Sequence, residues 1–129
     1  MKMQNPLYKQ LIIDHYKNPK NFGNVGKLKL HNKVENASCG DVINVGMEID
    51  DSGVVKSVAF DGSGCAISIA STSILLDSLK GKTLSDIKKI KSGDVLKMVG
   101  MEASSGRVKC ALLSYEGIKE IVDKLDKAQ

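Results

Sequence analysis

The sequence predicts an α+β fold in which a small antiparallel three-stranded sheet carries helices packed on one face. The chain opens with a helical pattern, continues with alternating segments typical of a hairpin, and carries helical patterns from there to its end. Strands and helices are therefore segregated along the chain. That order is typical of α+β domains rather than of alternating α/β proteins.

The first element is predicted to be a helix within "NPLYKQLIIDHYKNPKN", where apolar residues recur at helical spacing. Asn5 can cap this helix, Pro6 suits its first turn, and Pro19 predicts its end. His15 falls on or near the apolar stripe, so we expect a packed or capping histidine. The glycine-containing segment that follows predicts a loop with a short edge strand over residues 27–33.

The middle of the chain predicts an antiparallel hairpin. "VINVGMEI" alternates apolar and polar residues, and "VVKSVAF" is a second β-rich run after the turn "DDSG". The glycines of "DGSG" predict that this second strand ends after Phe60.

Four helices are predicted in the second half. "CAISIASTSILLDSL" reads as a helix buried on several sides, and "LSDIKKI" and "GDVLKMVG" as two short helices. "CALLSYEGIKEIVDKL" predicts a final helix that begins at Cys110.

The composition bounds the class of protein. A length of 129 residues and 42% hydrophobic content fit one domain over residues 1–129. The net charge is only +4, the basic residues are scattered along the chain, and aromatic residues make up only 4%. We therefore expect no nucleic-acid binding. No apolar run approaches the ~20 residues that a membrane helix needs, and the N-terminus turns polar before a signal-peptide core. We therefore expect a cytoplasmic protein without membrane contact.

The three cysteines lie at predicted element boundaries, close to glycines. Cys39 precedes the first hairpin strand, while Cys65 and Cys110 begin helices, whose N-terminal partial charge favours a thiolate. Asp41 follows Cys39 by two residues, so in an extended segment both side chains point to the same face. Three thiolates and a carboxylate complete a tetrahedral shell for Zn²⁺, and the same groups can hold a small iron–sulfur cluster. From spacing alone, three inert buried thiols and a turn carboxylate are the alternative, since there is no C-x-x-C.

Five segments resemble, in their order, the U-type iron–sulfur assembly proteins, the IscU, SufU and NifU N-terminal family: "HYKNPKNFG", "SCGDVINV", "GSGCAISIASTSIL", "KGKT" and "VKCALLSYEGI". The resemblance implies a compact fold with the three cysteines converging at one exposed end. It implies that Cys39, Asp41, Cys65 and Cys110 are the ligands of a metal or cluster. It also implies that segment 1–22 is a mobile N-terminal helix that contributes to a partner interface.

The resemblance further implies a scaffold rather than an enzyme. Such a scaffold accepts sulfur from a pyridoxal-phosphate-dependent cysteine desulfurase, binds iron, builds a [2Fe–2S] cluster and transfers it to apo iron–sulfur acceptor proteins. Cys39 and Cys110 are the expected persulfide acceptors, with Lys109 holding Cys110 as a thiolate. The alternative is a zinc-dependent sulfurtransferase, with Zn²⁺ in the same site, that relays sulfur and activates a SufS-type desulfurase.

The subtype stays open on the sequence. "SSGRVKC" lacks the two prolines and the histidine of the IscU-type segment that a dedicated Hsp70 chaperone recognises, which argues against chaperone docking. "GCAIS" and "RVKCALLSY" are more similar to SufU-type members, but the span 81–110 is too short for the additional segment that those members carry.

Overall fold

The computed structural model describes residues 6–38, 40–102, 104 and 106–127. Its three strands form one antiparallel sheet in the order β1-β2-β3, and α2 and α5 contribute to the same apolar core as the sheet, so the predicted α+β fold is confirmed. The elements, in chain order, are α1 (Pro6–Lys17), a 3₁₀ turn (Val25–Lys27), β1 (Leu30–Asn36), β2 (Asp41–Ile49), β3 (Val55–Ser63), α2 (Ala66–Leu79), α3 (Leu84–Lys88), α4 (Ser92–Val99) and α5 (Val108–Lys127).

Alternate residues of β2 build the core, as the sequence pattern predicted. Ile43, Val45 and Met47 are fully buried and pack in one cluster with residues of α2 and α5 such as Leu75 and Ile118. Each large apolar side chain buried in this way contributes about 1.5–3 kcal/mol. The cluster therefore holds α2 and α5 on the same face of the sheet, which sets where their N-termini lie.

The edge strand β1 lies further along the chain than predicted. It spans Leu30–Asn36 rather than residues 27–33, because the 3₁₀ turn Val25–Lys27 occupies the start of the predicted strand. The final helix also begins at Val108, so Cys110 lies inside its first turn instead of opening it.

The prediction that β3 ends after Phe60 was wrong, since the strand continues through "DGS" to Ser63. Gly62 makes this continuation possible. Its φ of +132° is open to glycine, and a Cβ built at this position would lie 2.1 Å from the carbonyl oxygen of Val42. Glycine here extends the pairing with β2 instead of ending it.

The segment after α1 covers the outer edge of β3. Phe22 forms a parallel bridge to Phe60, the Phe60 N–H donates to the Asn21 carbonyl at 2.9 Å, and the Gly23 N–H donates to the Phe60 carbonyl at 2.7 Å. The two phenylalanine rings meet edge to face with their centroids 5.3 Å apart. The backbone N–H and C=O of Phe60 are thereby paired at a position where an open edge of β3 could bind another chain.

The C-terminal half of α1 is held on α2 through a buried serine. Nδ1 of His15 lies 2.7 Å from Oγ of Ser73, and the backbone N–H of Lys20 donates to the same oxygen at 2.8 Å. His15 is therefore a packed histidine, as its place on the apolar stripe predicted. The predicted cap Asn5 lies outside the described residues, and the expected mobility of segment 1–22 stays a prediction.

We expect the pKa of His15 to make stability depend on pH. Burial lowers this pKa below the ordinary 6.5, and the Lys20 charge lowers it further, against weaker opposing effects of Asp77 and Asp14. The unfolded chain then binds the proton more readily, so the free energy of unfolding rises with pH through the window below and around 6.5. As the pH drops through the same window, the free energy of unfolding decreases.

The measurement is urea unfolding at about pH 5 and about pH 7.5, on either side of this window. His15→Gln is expected to flatten the dependence while keeping a polar group near Ser73. His31→Gln is the matched control, because His31 is exposed. An undiminished pH dependence in His15→Gln would contradict the assignment.

Among the helices of the described ranges, none combines the length and the apolar character that crossing a membrane requires.

Candidate metal centre

One end of the sheet meets the N-termini of two helices. Asp41, the first residue of β2, pairs with Asn36, the last residue of β1. On the other side of β2, strand β3 ends at Ser63, and Cys65 follows as the N-cap of α2. The hairpin register therefore places the start of α2 beside Asp41.

Three of the predicted ligands converge at this end. Asp41, Cys65 and Cys110 each offer one ligand atom, and these atoms all lie within 4.8 Å of one another. Ligand atoms about 2.3 Å from a tetrahedral zinc ion are about 3.8 Å apart, so small side-chain shifts suffice for shared coordination. Cys39, the fourth predicted ligand, lies outside the described residues, and its role stays a prediction.

The carboxylate of Asp41 is buried, with only 1% of the residue exposed. Its Oδ1 accepts the backbone N–H of Cys65 at 2.9 Å, whereas its Oδ2 is buried without a hydrogen-bond partner among the described residues. A buried carboxylate oxygen without a partner is costly, and a bound cation removes that cost. Two thiols and one carboxylate are also a donor set that Zn²⁺ and iron accept, so the residues fit a metal.

The Cys65 sulfur caps the N-terminus of α2. It accepts the backbone N–H of Ser68 at 3.4 Å and lies 3.7 Å from the Ser68 hydroxyl, which donates to the Cys65 carbonyl at 3.0 Å. The sulfur therefore lies at the partial positive charge of the helix N-terminus. Cys65 is partly exposed and lines an open groove of about 380 Å³ between α1 and α2, with Lys9 and Arg107 also along its walls.

The Cys110 sulfur approaches the group from α5. Cys110 is only 2% exposed, and the side-chain amide of Asn36 donates toward its sulfur at 3.9 Å. Lys109 precedes Cys110 with an exposed side chain, and its thiolate-stabilising role stays a prediction. The sequence reasoning missed the roles of Asn36 and Ser68, and the helix-start position of Ser68 was the only visible signal for these two. Gly64 is one of the glycines whose closeness to the cysteines the sequence already showed.

Gly64 leaves room for the Asp41 carboxylate. A Cβ at residue 64 would lie 2.7 Å from Oδ1 of Asp41 and 2.4 Å from Oγ of Ser68. A side chain here would displace the groups that orient Asp41 and Cys65, so the absence of a Cβ is part of the site.

We expect Gly64→Ala to lower zinc affinity about 10- to 100-fold, the range typical of changes that disturb groups orienting metal ligands. Competition with a chromophoric chelator measures it. Gly93→Ala is the matched control, because a Cβ there meets nothing within 4 Å. Equal zinc affinity in the two variants would show that Gly64 does not shape the site.

A small α+β domain that gathers two thiols and a carboxylate at the end of its sheet has, in class, a thiolate–carboxylate group that could hold a metal ion. The chain belongs to the NifU-like N-terminal domain family, whose model matches residues 7–129. The family predicted from the sequence motifs is thereby confirmed.

Similar proteins carry two kinds of name. The chain is 36% identical over 120 residues to the mitochondrial iron sulfur cluster assembly protein 1 of Debaryomyces hansenii, with 90% of this chain and 66% of that protein covered. It is 34% identical over 135 residues to the zinc-dependent sulfurtransferase SufU of Bacillus subtilis, covering 92% of this chain and 90% of that protein. It is 32% identical over 118 residues to the iron–sulfur cluster assembly scaffold protein IscU of Rickettsia prowazekii, covering 89% and 88%.

A solved structure supports the fold. A putative iron–sulfur cluster assembly scaffold protein for the SUF system from Fervidobacterium islandicum AW-1 superposes with a TM-score of 0.75, covering 92% of this chain and 98% of that chain. At a sequence identity of 24%, this similarity concerns the fold alone.

Proposed function

We propose that this protein is an iron–sulfur cluster assembly scaffold, which binds iron, accepts sulfur and passes the assembled cluster to apo acceptor proteins. The observation that carries the proposal is the convergence of Asp41, Cys65 and Cys110 within 4.8 Å in a member of this family. The relatives named as assembly proteins support it.

The donor set suits a cargo that must be both held and released. Thiolates are strong ligands for iron in clusters, and a carboxylate is a weaker, more exchangeable one. Oδ2 of Asp41 has no hydrogen-bond partner among the described residues, so it is available as that weaker ligand. With Cys39 as the fourth ligand, the proposed cargo is a [2Fe–2S] cluster.

Sulfur delivery requires one thiolate to leave the metal. We assign the sulfur source to the persulfide of a pyridoxal-phosphate-dependent cysteine desulfurase. A scaffold thiolate attacks the outer sulfur, a new S–S bond forms on the scaffold, and the desulfurase cysteine leaves as a thiolate. Cys110 and Cys39 are the proposed acceptors, and Lys109 is proposed to favour the thiolate of Cys110.

The second candidate is a zinc-dependent sulfurtransferase. The same three ligand atoms fit a tetrahedral zinc ion, and the Bacillus subtilis relative bears that name. In this function Zn²⁺ is resident, Asp41 and the thiols hold it, and one thiol relays sulfur without building a cluster.

Anaerobic reconstitution distinguishes the two functions. Metal-free reduced protein is mixed with ferrous iron, cysteine, a cysteine desulfurase and a dithiol reductant that supplies the electrons for sulfide, while a parallel sample carries zinc. Stoichiometric [2Fe–2S] absorption and Mössbauer spectra, followed by transfer to an apo-ferredoxin, are the expected result. Tight zinc, no cluster and a zinc-dependent rise in desulfurase turnover would overturn it in favour of the sulfurtransferase.

A further inference from the structure

Asn36 brings a side-chain donor to one sulfur of the site from outside the two helices. It is the last residue of β1, it is partly buried, and its Nδ2 lies 3.9 Å from Sγ of Cys110 on α5. Its Cα is paired with that of Asp41 across the hairpin. The hairpin therefore contributes both a carboxylate and an amide donor to the same group of ligand atoms.

The ligands differ in the donors that they receive. Oδ1 of Asp41 accepts the Cys65 N–H, and Sγ of Cys65 accepts the Ser68 N–H, so both have backbone donors at the start of α2. Cys110 is 2% exposed, so water cannot solvate its sulfur when the sulfur carries negative charge. The Asn36 amide supplies a hydrogen bond in place of that water.

We propose that Asn36 is a positioning residue that directs the Cys110 sulfur and weakens its bond to a coordinated metal. An N–H···S hydrogen bond withdraws electron density from a thiolate and so lowers its donation to the metal. The Cys110 thiolate then leaves the metal to take up sulfur more readily than it would without the Asn36 amide. This inference rests on the proposed function only for the sulfur step; the effect on the metal–sulfur bond concerns any metal held at the site.

The first test compares cobalt-loaded Asn36→Leu with cobalt-loaded wild type. Co²⁺ is the probe because its thiolate charge-transfer band reports sulfur donation. Removal of the amide is expected to move this band to longer wavelength and to slow cobalt release to a chelator about tenfold, which corresponds to about 1.4 kcal/mol in the barrier. Asn36→Gln, which keeps an amide, is expected to show a smaller shift than Asn36→Leu.

Asn32→Leu is the matched control. Asn32 lies on the same strand, but its amide donates to the Gly117 carbonyl at 3.2 Å and to Glu120 at 2.6 Å on α5, not to a sulfur. A shift of equal size in Asn32→Leu, or no shift in Asn36→Leu, would overturn the proposal. A purely structural role of Asn36 would change the thermal unfolding midpoint without moving the band.

A second measurement needs no variant and holds even where Asn36→Leu fails to fold. In wild-type protein loaded with ¹¹³Cd, an amide proton that forms an N–H···S hydrogen bond to a coordinating sulfur shows scalar coupling to the metal. A correlation between cadmium and the Asn36 side-chain amide protons is expected, and its absence would overturn the proposal. Neither experiment requires cluster assembly. If the protein fails to form a cluster in the reconstitution, the scaffold function is disproved, whereas a cobalt band shift in Asn36→Leu would still support the role of Asn36.

Discussion

Asp41→Ala is expected to slow the transfer of an assembled cluster to an acceptor protein by about tenfold or more, which corresponds to about 1.4 kcal/mol in the barrier. The change removes the buried Oδ2, the exchangeable ligand, and leaves a cluster held by thiolates that exchange less readily. The measurement follows the appearance of holo-ferredoxin after mixing cluster-loaded protein with apo-ferredoxin.

Two variants separate the ligand role from loss of charge and of the hydrogen bond to Cys65. Asp41→Asn keeps an oxygen that can accept the Cys65 N–H but lacks the negative charge. Asp61→Ala removes a carboxylate from β3 that accepts the Asn44 side-chain amide at 2.7 Å and is not part of the ligand group. Transfer that becomes faster in Asp41→Ala, or a cluster that no longer forms, would contradict the exchangeable-ligand role.

The elements of this fold were predictable wherever the local pattern decided them. The alternation around Ile43 and Val45 predicted a strand with one buried face, and Pro19 predicted the end of a helix that stops at Lys17. The end of β3 was not predictable in this way. Gly62 reads locally as a strand breaker, but its pairing with Ile43 is a tertiary contact that uses the conformational freedom of glycine.

In the candidate site, too, the features set by local sequence were predictable and those set by tertiary contacts were not. Cys65 and Cys110 could be placed at helix starts from the sequence because helix signals are local. Their approach to Asp41 depends on how α2 and α5 pack on the sheet, which no local pattern contains. Asn36 was missed for the same reason, since its significance depends on the register opposite Asp41 and on the position of α5.

Cys65→Ser and Cys110→Ser are each expected to abolish stoichiometric cluster assembly and to lower zinc affinity by roughly 100-fold or more, beyond the effect typical of residues that only orient ligands. A serine hydroxyl stays protonated at neutral pH, so it does not replace a thiolate as a ligand. Metal analysis and chelator competition measure the loss, and thermal unfolding of the metal-free proteins measures the fold.

The two replacements are expected to differ in stability, which separates the site from the fold. Cys65 occupies the N-cap of α2, a position that serine prefers, so Cys65→Ser keeps the cap while the metal is lost. Cys110 is 2% exposed, and a hydroxyl buried there costs about 1–3 kcal/mol unless it finds a partner.

Ala66→Ser adds the same hydroxyl one residue further along α2, on an exposed side chain, and is the matched control. Unfolding of both cysteine variants in the absence of metal would mean that the thiols support the fold itself. A folded Cys65→Ser protein that binds no metal would show instead that the Cys65 thiol serves the ligand site.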